Sequence, residues 1–183
     1  MNTYPIHTVD SAPEGSRQSL QGLQQAFGLI PNLAATMANV PSLVNSFVAA
    51  FGQFAGGTFT GGERQILLLT NAVTNSSRWA VAFHSKMAVK EGVDLKDIEA
   101  VRRGDPPPDA RLAALSTLTR TLIEKRGHLD EADAKAFTAA GFTVNQLLEV
   151  ITGLALSTMA NYTGNIADPP LEAPFQAHAW TAG

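Results

Sequence analysis

The sequence contains no cysteine among its 183 residues. That removes disulfides, thiolate nucleophiles, cysteine-ligated zinc and iron–sulfur clusters. It also removes the usual clue to redox compartment. Basic clusters are missing as well: 13 Lys and Arg are scattered against 16 Asp and Glu, for a net charge of −3. The densest basic stretch, Glu124-Lys125-Arg126, carries both signs. Nucleic acid and anionic lipid are both recognised by clustered cations, so neither is an expected partner. No apolar run approaches the roughly 18 residues of a membrane-spanning helix. The N-terminus, Met-Asn-Thr-Tyr-Pro-Ile-His, has neither the basic nor the apolar region of a secretory signal, so a cytoplasmic location is the default expectation. No two of the four histidines have metal-ligand spacing, and no metal is expected.

What is present fits one globular domain over 1–183, 45% apolar and 16% charged. Residues 1–13, with Pro5 and Pro13, read as an N-terminal arm. Residues 171–183, with Phe175 and Trp180, read as a C-terminal arm. Between them the apolar spacing is helical. It predicts helices over 14–27, 41–55, 61–75, 78–91, 95–103, 110–126, 131–140 and 144–167. Glycine and proline fall at their ends, and Asp-Pro-Pro-Pro-Asp (105–109) is a stiff connector. Thr60 with Glu63, and Thr143 with Gln146, fit capping boxes, while Asp109 and Asp130 fit N-caps. Nothing alternates long enough to make a strand. The expectation is an all-α bundle of roughly eight helices with no cofactor fingerprint.

Two of these helices are unusually apolar. The one at 61–75 carries Ile66, Leu67, Leu68, Leu69, Ala72 and Val73, so it should be buried on most sides. The one at 144–167 is apolar too, with Gly153, Ser157 and Thr158 small enough to permit close helix approach. It is either central or shared with another subunit, and a homo-oligomer is expected.

The chemistry-bearing residues lie in 61–92, where an apolar helix, a tight turn at Asn75-Ser76-Ser77 and a second helix lead to His84. This stretch resembles the core signature of the alkylhydroperoxidase D-like and carboxymuconolactone decarboxylase family, in which the second helix opens Cys-x-x-Cys and continues to a His. By that resemblance Ser77 and Ala80 stand at the two cysteine positions and Gln65 at that of the catalytic Glu; only His84 keeps its residue type. Phe27-Gly28-Leu29-Ile30-Pro31-Asn32-Leu33, Phe142-Thr143, Leu147-Leu148-Glu149-Val150 and Asn161-Tyr162 extend the likeness over most of 27–180. It implies an AhpD-like fold assembling as trimers or hexamers. The family's thiol-based peroxidase chemistry cannot run here, because serine has no sulfenate or disulfide state.

The resemblance therefore points toward cofactor-free acid/base chemistry at His84 on a small organic acid, lactone or related metabolite. Gln65, Asn71, Ser77, Trp79, Ala80 and Tyr162 are the candidate pocket residues, with Phe83 beside them and Arg64 or Arg78 as a carboxylate partner. Each has a plainer alternative. His84 fits a buried histidine bonded to a backbone or Asn partner, Trp79 fits core or interface, and Asn161-Tyr162 fits a structural pair near a helix end. Ser77 lies seven residues from His84, about 10.5 Å along a helix, so it reads as an N-cap rather than a nucleophile. Two further readings stay open: a small-molecule binder without chemistry, and a scaffold that takes part in antioxidant defence only through a partner's thiols.

Overall fold

A computed structural model describes residues 4–181, so the outermost residues of the two predicted arms, 1–3 and 182–183, lie outside the described part. The described residues form nine α-helices and one 3-10 helix, with no strand. These are α1 (Glu14–Phe27), α2 (Asn32–Met37), α3 (Pro41–Ala55), α4 (Gly61–Thr74), α5 (Arg78–Lys90), α6 (Leu95–Arg102), α7 (Ala110–Glu124), α8 (Glu131–Ala139) and α9 (Val144–Ala167), followed by the 3-10 helix Ala173–His178. The fold is all-α, as expected. The 3-10 helix was not foreseen, because six residues are too few to show a helical period, whereas α2 begins just past Pro31, a residue that suits the first turn of a helix. No single helix among the described residues is long and apolar enough to cross a membrane.

The caps explain most boundaries. Thr60 accepts from the Glu63 amide while the Glu63 carboxylate accepts from the Thr60 amide, and Thr143 with Gln146 closes the same box on α9. Asp130 also forms a box, with Asp133. The helix expected to reach Arg126 stops at Glu124, because Arg126 and Gly127 both turn into the left-handed region.

α4 is the central element. Ile66, Leu69 and Ala72 join a core built with α1, α2, α5 and α6, while Leu67 and Leu68 join a second core with α7, α8 and α9. A helix that is apolar on most sides thus finds apolar partners on two sides. α9 packs its inner face, Val150, Leu156 and Ala160, against both cores. Gly153 is required there: a Cβ would sit 2.6 Å from a Leu67 methyl and 3.1 Å from the Phe54 ring. The C-terminal arm lies across α5, pinned by Phe175, which is 4% exposed.

Candidate functional site

α4 and α5 are joined by the turn at Asn75–Ser77, which folds them back against each other and brings Gln65 to His84. His84 Nδ1 lies 3.0 Å from Gln65 Oε1. An amide oxygen only accepts, so Nδ1 carries the proton and Nε2 is left as an acceptor. Nε2 has no hydrogen-bond partner among the described residues. His84 is 8% exposed, and burial pushes its pKa down to about 3. No charged group stabilises the imidazolium, so the ring is neutral at ordinary pH.

His84 looks into a cavity between α1, α3, α5 and α9. Phe27, Phe47 and Phe51 form one wall, Trp79, Ala80 and Phe83 another, and Leu156 with Ala160 the floor. Among the described residues His84 is the one ionisable side chain lining it. The cavity's free volume is about 40 Å³. That is room for a few atoms only. A larger guest must displace part of the wall, and Phe27, Phe47 and Phe51 are its partly exposed members. Phe83 organises the other side. Its ring stacks on Trp79 at 5.1 Å, meets His84 edge-on at 5.2 Å, and touches Phe27 and Phe175. The Trp79 indole N–H is spent on Glu172 Oε2 at 2.9 Å.

Of the residues singled out from the sequence, His84, Trp79, Ala80 and Phe83 line the cavity, and Gln65 holds His84 from behind. Asn71 does not face it. Its side-chain oxygen accepts from Asn161 and Asn75, which ties α4 to α9. Asn161 is therefore structural, but its neighbour Tyr162 is not: it stands exposed on the outer side of α9, away from the cavity. Ser77 occupies the N-cap position of α5 without capping it. Its buried hydroxyl is turned toward Gly164 on α9 and has no partner. Neither arginine supplies a carboxylate site. Arg78 pairs with Asp168 at the surface, and Arg64 donates to the Phe59 carbonyl.

The cavity residues that sequence reasoning missed are chiefly Phe27, Phe47 and Phe51. Phe47, Phe51 and Phe54 share one helical stripe, but Phe54 is fully buried in the second core while the other two face the cavity. Periodicity marks the inward face of a helix and does not separate core from cavity wall.

No family model and no curated protein matches the chain. Solved structures do match. The AhpD-core, peroxidase-related protein of Ralstonia eutropha JMP134 superposes with a TM-score of 0.82 at 22% identity, over 94% of this chain and 93% of that one. A peroxidase-related protein of Silicibacter sp. TM1040 gives 0.77 at 17% identity, over 96% and 93%. A cysteine-to-alanine variant of the debrominase Bmp8, in complex with 2,3,4-tribromopyrrole, gives 0.78 at 17% identity, over 97% and 96%. Fold and sequence together define an all-α protein of AhpD-like fold. This one carries that fold without any cysteine, and with a Gln–His pair in its interior.

Proposed function

We propose that this protein binds a small, uncharged, mainly apolar molecule in the cavity beneath Phe83, held by one hydrogen bond donated to His84 Nε2. The observation that carries this reading is the lining: apolar and aromatic throughout, with one neutral imidazole whose other nitrogen is already engaged. Such a site rewards a flat or aromatic body with a single N–H or O–H. It does not suit an organic acid, because a carboxylate would enter low dielectric without a counter-charge. The pyrrole bound by the debrominase of like fold has the favoured chemistry, an apolar ring with one N–H. Acid/base catalysis at His84 is the weaker reading, since a base with a pKa of about 3 is far from the optimum for proton transfer near neutrality.

Titration calorimetry with pyrrole, 2,3,4-tribromopyrrole, N-methylpyrrole and benzoate tests it. Binding of the two N–H pyrroles, loss of affinity on N-methylation and no response to benzoate are expected. One lost hydrogen bond to a buried acceptor costs about 1–3 kcal/mol, or roughly 5- to 150-fold in Kd. The affinity should be flat from pH 5 to 8, because His84 stays neutral throughout. Preferential binding of benzoate, or an affinity that follows a titration near pH 6.5, would overturn the reading.

A further inference from the structure

Trp79 stands between two spaces. On one side is the inner cavity of about 40 Å³, which Phe83 and His84 also line. On the other is an outer pocket of about 480 Å³. Arg78, the chain at 168–171 where it leaves α9, and Gln176 and Trp180 of the C-terminal arm bound this outer pocket. Among the described residues Trp79 is the one residue common to the two linings. One carboxylate holds its ring. Glu172 Oε2 accepts from the Trp79 indole N–H at 2.9 Å, and Glu172 Oε1 accepts from the Asn32 amide at 2.6 Å. Asn32 opens α2, whose Leu33 and Ala34 line the inner cavity. Glu172 thus ties two walls of the cavity together. The remaining contacts of the indole are aromatic: Phe83 stacked at 5.1 Å and Phe175 edge-on at 6.0 Å. A stacked ring slides in its own plane at little cost, whereas a hydrogen bond to a charged acceptor is strong and directional. The wall formed by Phe27, Phe47 and Phe51 is held by ring contacts without such an anchor.

We propose that Trp79 is the partition that limits the size of guest the cavity accepts, and that Glu172 is the latch that keeps it closed. This rests on the reading of the cavity as a site for a small ring with one N–H. With the Trp79 N–H held, the guest is confined to the inner space. With it released, the ring moves toward the outer pocket and the two spaces join. A fused ring then fits, its own N–H still donated to His84 Nε2. Glu172 touches no guest in this arrangement. It is a positioning residue, and it acts through Trp79.

Calorimetry with pyrrole and free indole, on four proteins, reads the partition. Trp79→Phe, which removes both bulk and N–H, should raise the affinity for indole relative to pyrrole by about 10-fold or more, because the added ring carbons gain room to be buried. Glu172→Gln has one acceptor for two donors, and should shift the ratio several-fold in the same direction. In the Trp79→Phe background Glu172→Gln should add nothing, since no indole N–H is left to release. An unchanged ratio in Trp79→Phe overturns the partition. Equal effects of Glu172→Gln in both backgrounds would mean that it acts through α2, and overturn the latch. Fluorescence decides the latch without any pyrrole, because the chain has two tryptophans. In Trp180→Phe, where Trp79 is the reporter, Glu172→Gln should raise the acrylamide quenching constant several-fold. In Trp79→Phe, where Trp180 reports on the arm, it should leave quenching unchanged, since Arg102 and Lys86 still hold that segment. No rise at Trp79, or an equal rise at both tryptophans, overturns the latch. If no variant binds either ring, the binding reading falls, and the quenching alone tells whether Glu172 holds Trp79 in place.

Discussion

His84 is held neutral by what surrounds it. Its ring meets the edge of Phe83 and the apolar wall of the cavity, and its one hydrogen-bond partner, Gln65, is uncharged. Burial therefore acts on the imidazolium unopposed. One substitution should reverse this. Gln65→Glu places a carboxylate where the amide oxygen now sits, 3.0 Å from Nδ1. An opposite charge at that distance favours the protonated ring, so the pKa of His84 should rise from about 3 toward the neutral range. Proton or nitrogen NMR of the ring measures it directly. An unchanged pKa in Gln65→Glu would show that the two side chains do not meet in solution. The same substitution should weaken the N–H pyrroles at pH 5, because a protonated ring has no acceptor to offer.

The C-terminal arm is the element that finishes the site. Phe175 packs against both Trp79 and Phe83. Lys86 donates to the Pro174 carbonyl, Arg102 donates to the carbonyls of His178 and Ala179, and the Trp180 indole donates to the Arg102 carbonyl. The arm thus backs the aromatic wall that faces the cavity on its other side. Phe175→Ala should cost about 3–5 kcal/mol in urea unfolding, the range for truncating a buried Phe, and should weaken pyrrole binding by loosening Trp79. A loss under 1 kcal/mol would mean that the arm is not docked in solution. Much at this scale was legible in the sequence, because caps are local chemistry: Thr60 with Glu63 and Thr143 with Gln146 need only their own turn to form. The two-sided burial of α4 was legible too, since no polar face was available to turn outward. What escaped depends on distant partners. Ser77 stands at a cap position, but its hydroxyl lies against Gly164 on α9 and caps nothing. Tyr162 adjoins the buried Asn161, yet one residue of helical rotation, about 100°, carries it out to solvent. The cavity required α1, α3 and α5 to converge, which no single helix's pattern contains.

For the whole molecule, the neutral histidine becomes a pH dependence of stability. In the unfolded chain His84 titrates near 6.5; in the folded protein it titrates at about 3. Between those values the unfolded state binds more protons, so acidification favours unfolding. The contribution is fully present above pH 6.5 and is lost as pH falls toward 3. From pH 7 to 5 the loss should be about 2 kcal/mol, or roughly 4–8 °C in Tm for a domain of this size. Carboxylates act lower. Burial pushes Glu63 up, but hydrogen bonds from Thr60 and Arg111 outweigh it and hold its carboxyl below the usual carboxylate range, so its stabilisation is lost only under stronger acid. The window from pH 5 to 7 therefore isolates the histidines. His178 is lowered as well, by partial burial and then by Arg102 and Lys86, so the test is a difference between two proteins. His84→Gln keeps a polar group in the cavity and removes the titration. Its Tm should fall by several degrees less than that of the natural chain between pH 7 and 5, with the two curves parallel above pH 7. Curves parallel over the whole range would place His84 in water, and the apolar cavity built around it would have to be redrawn.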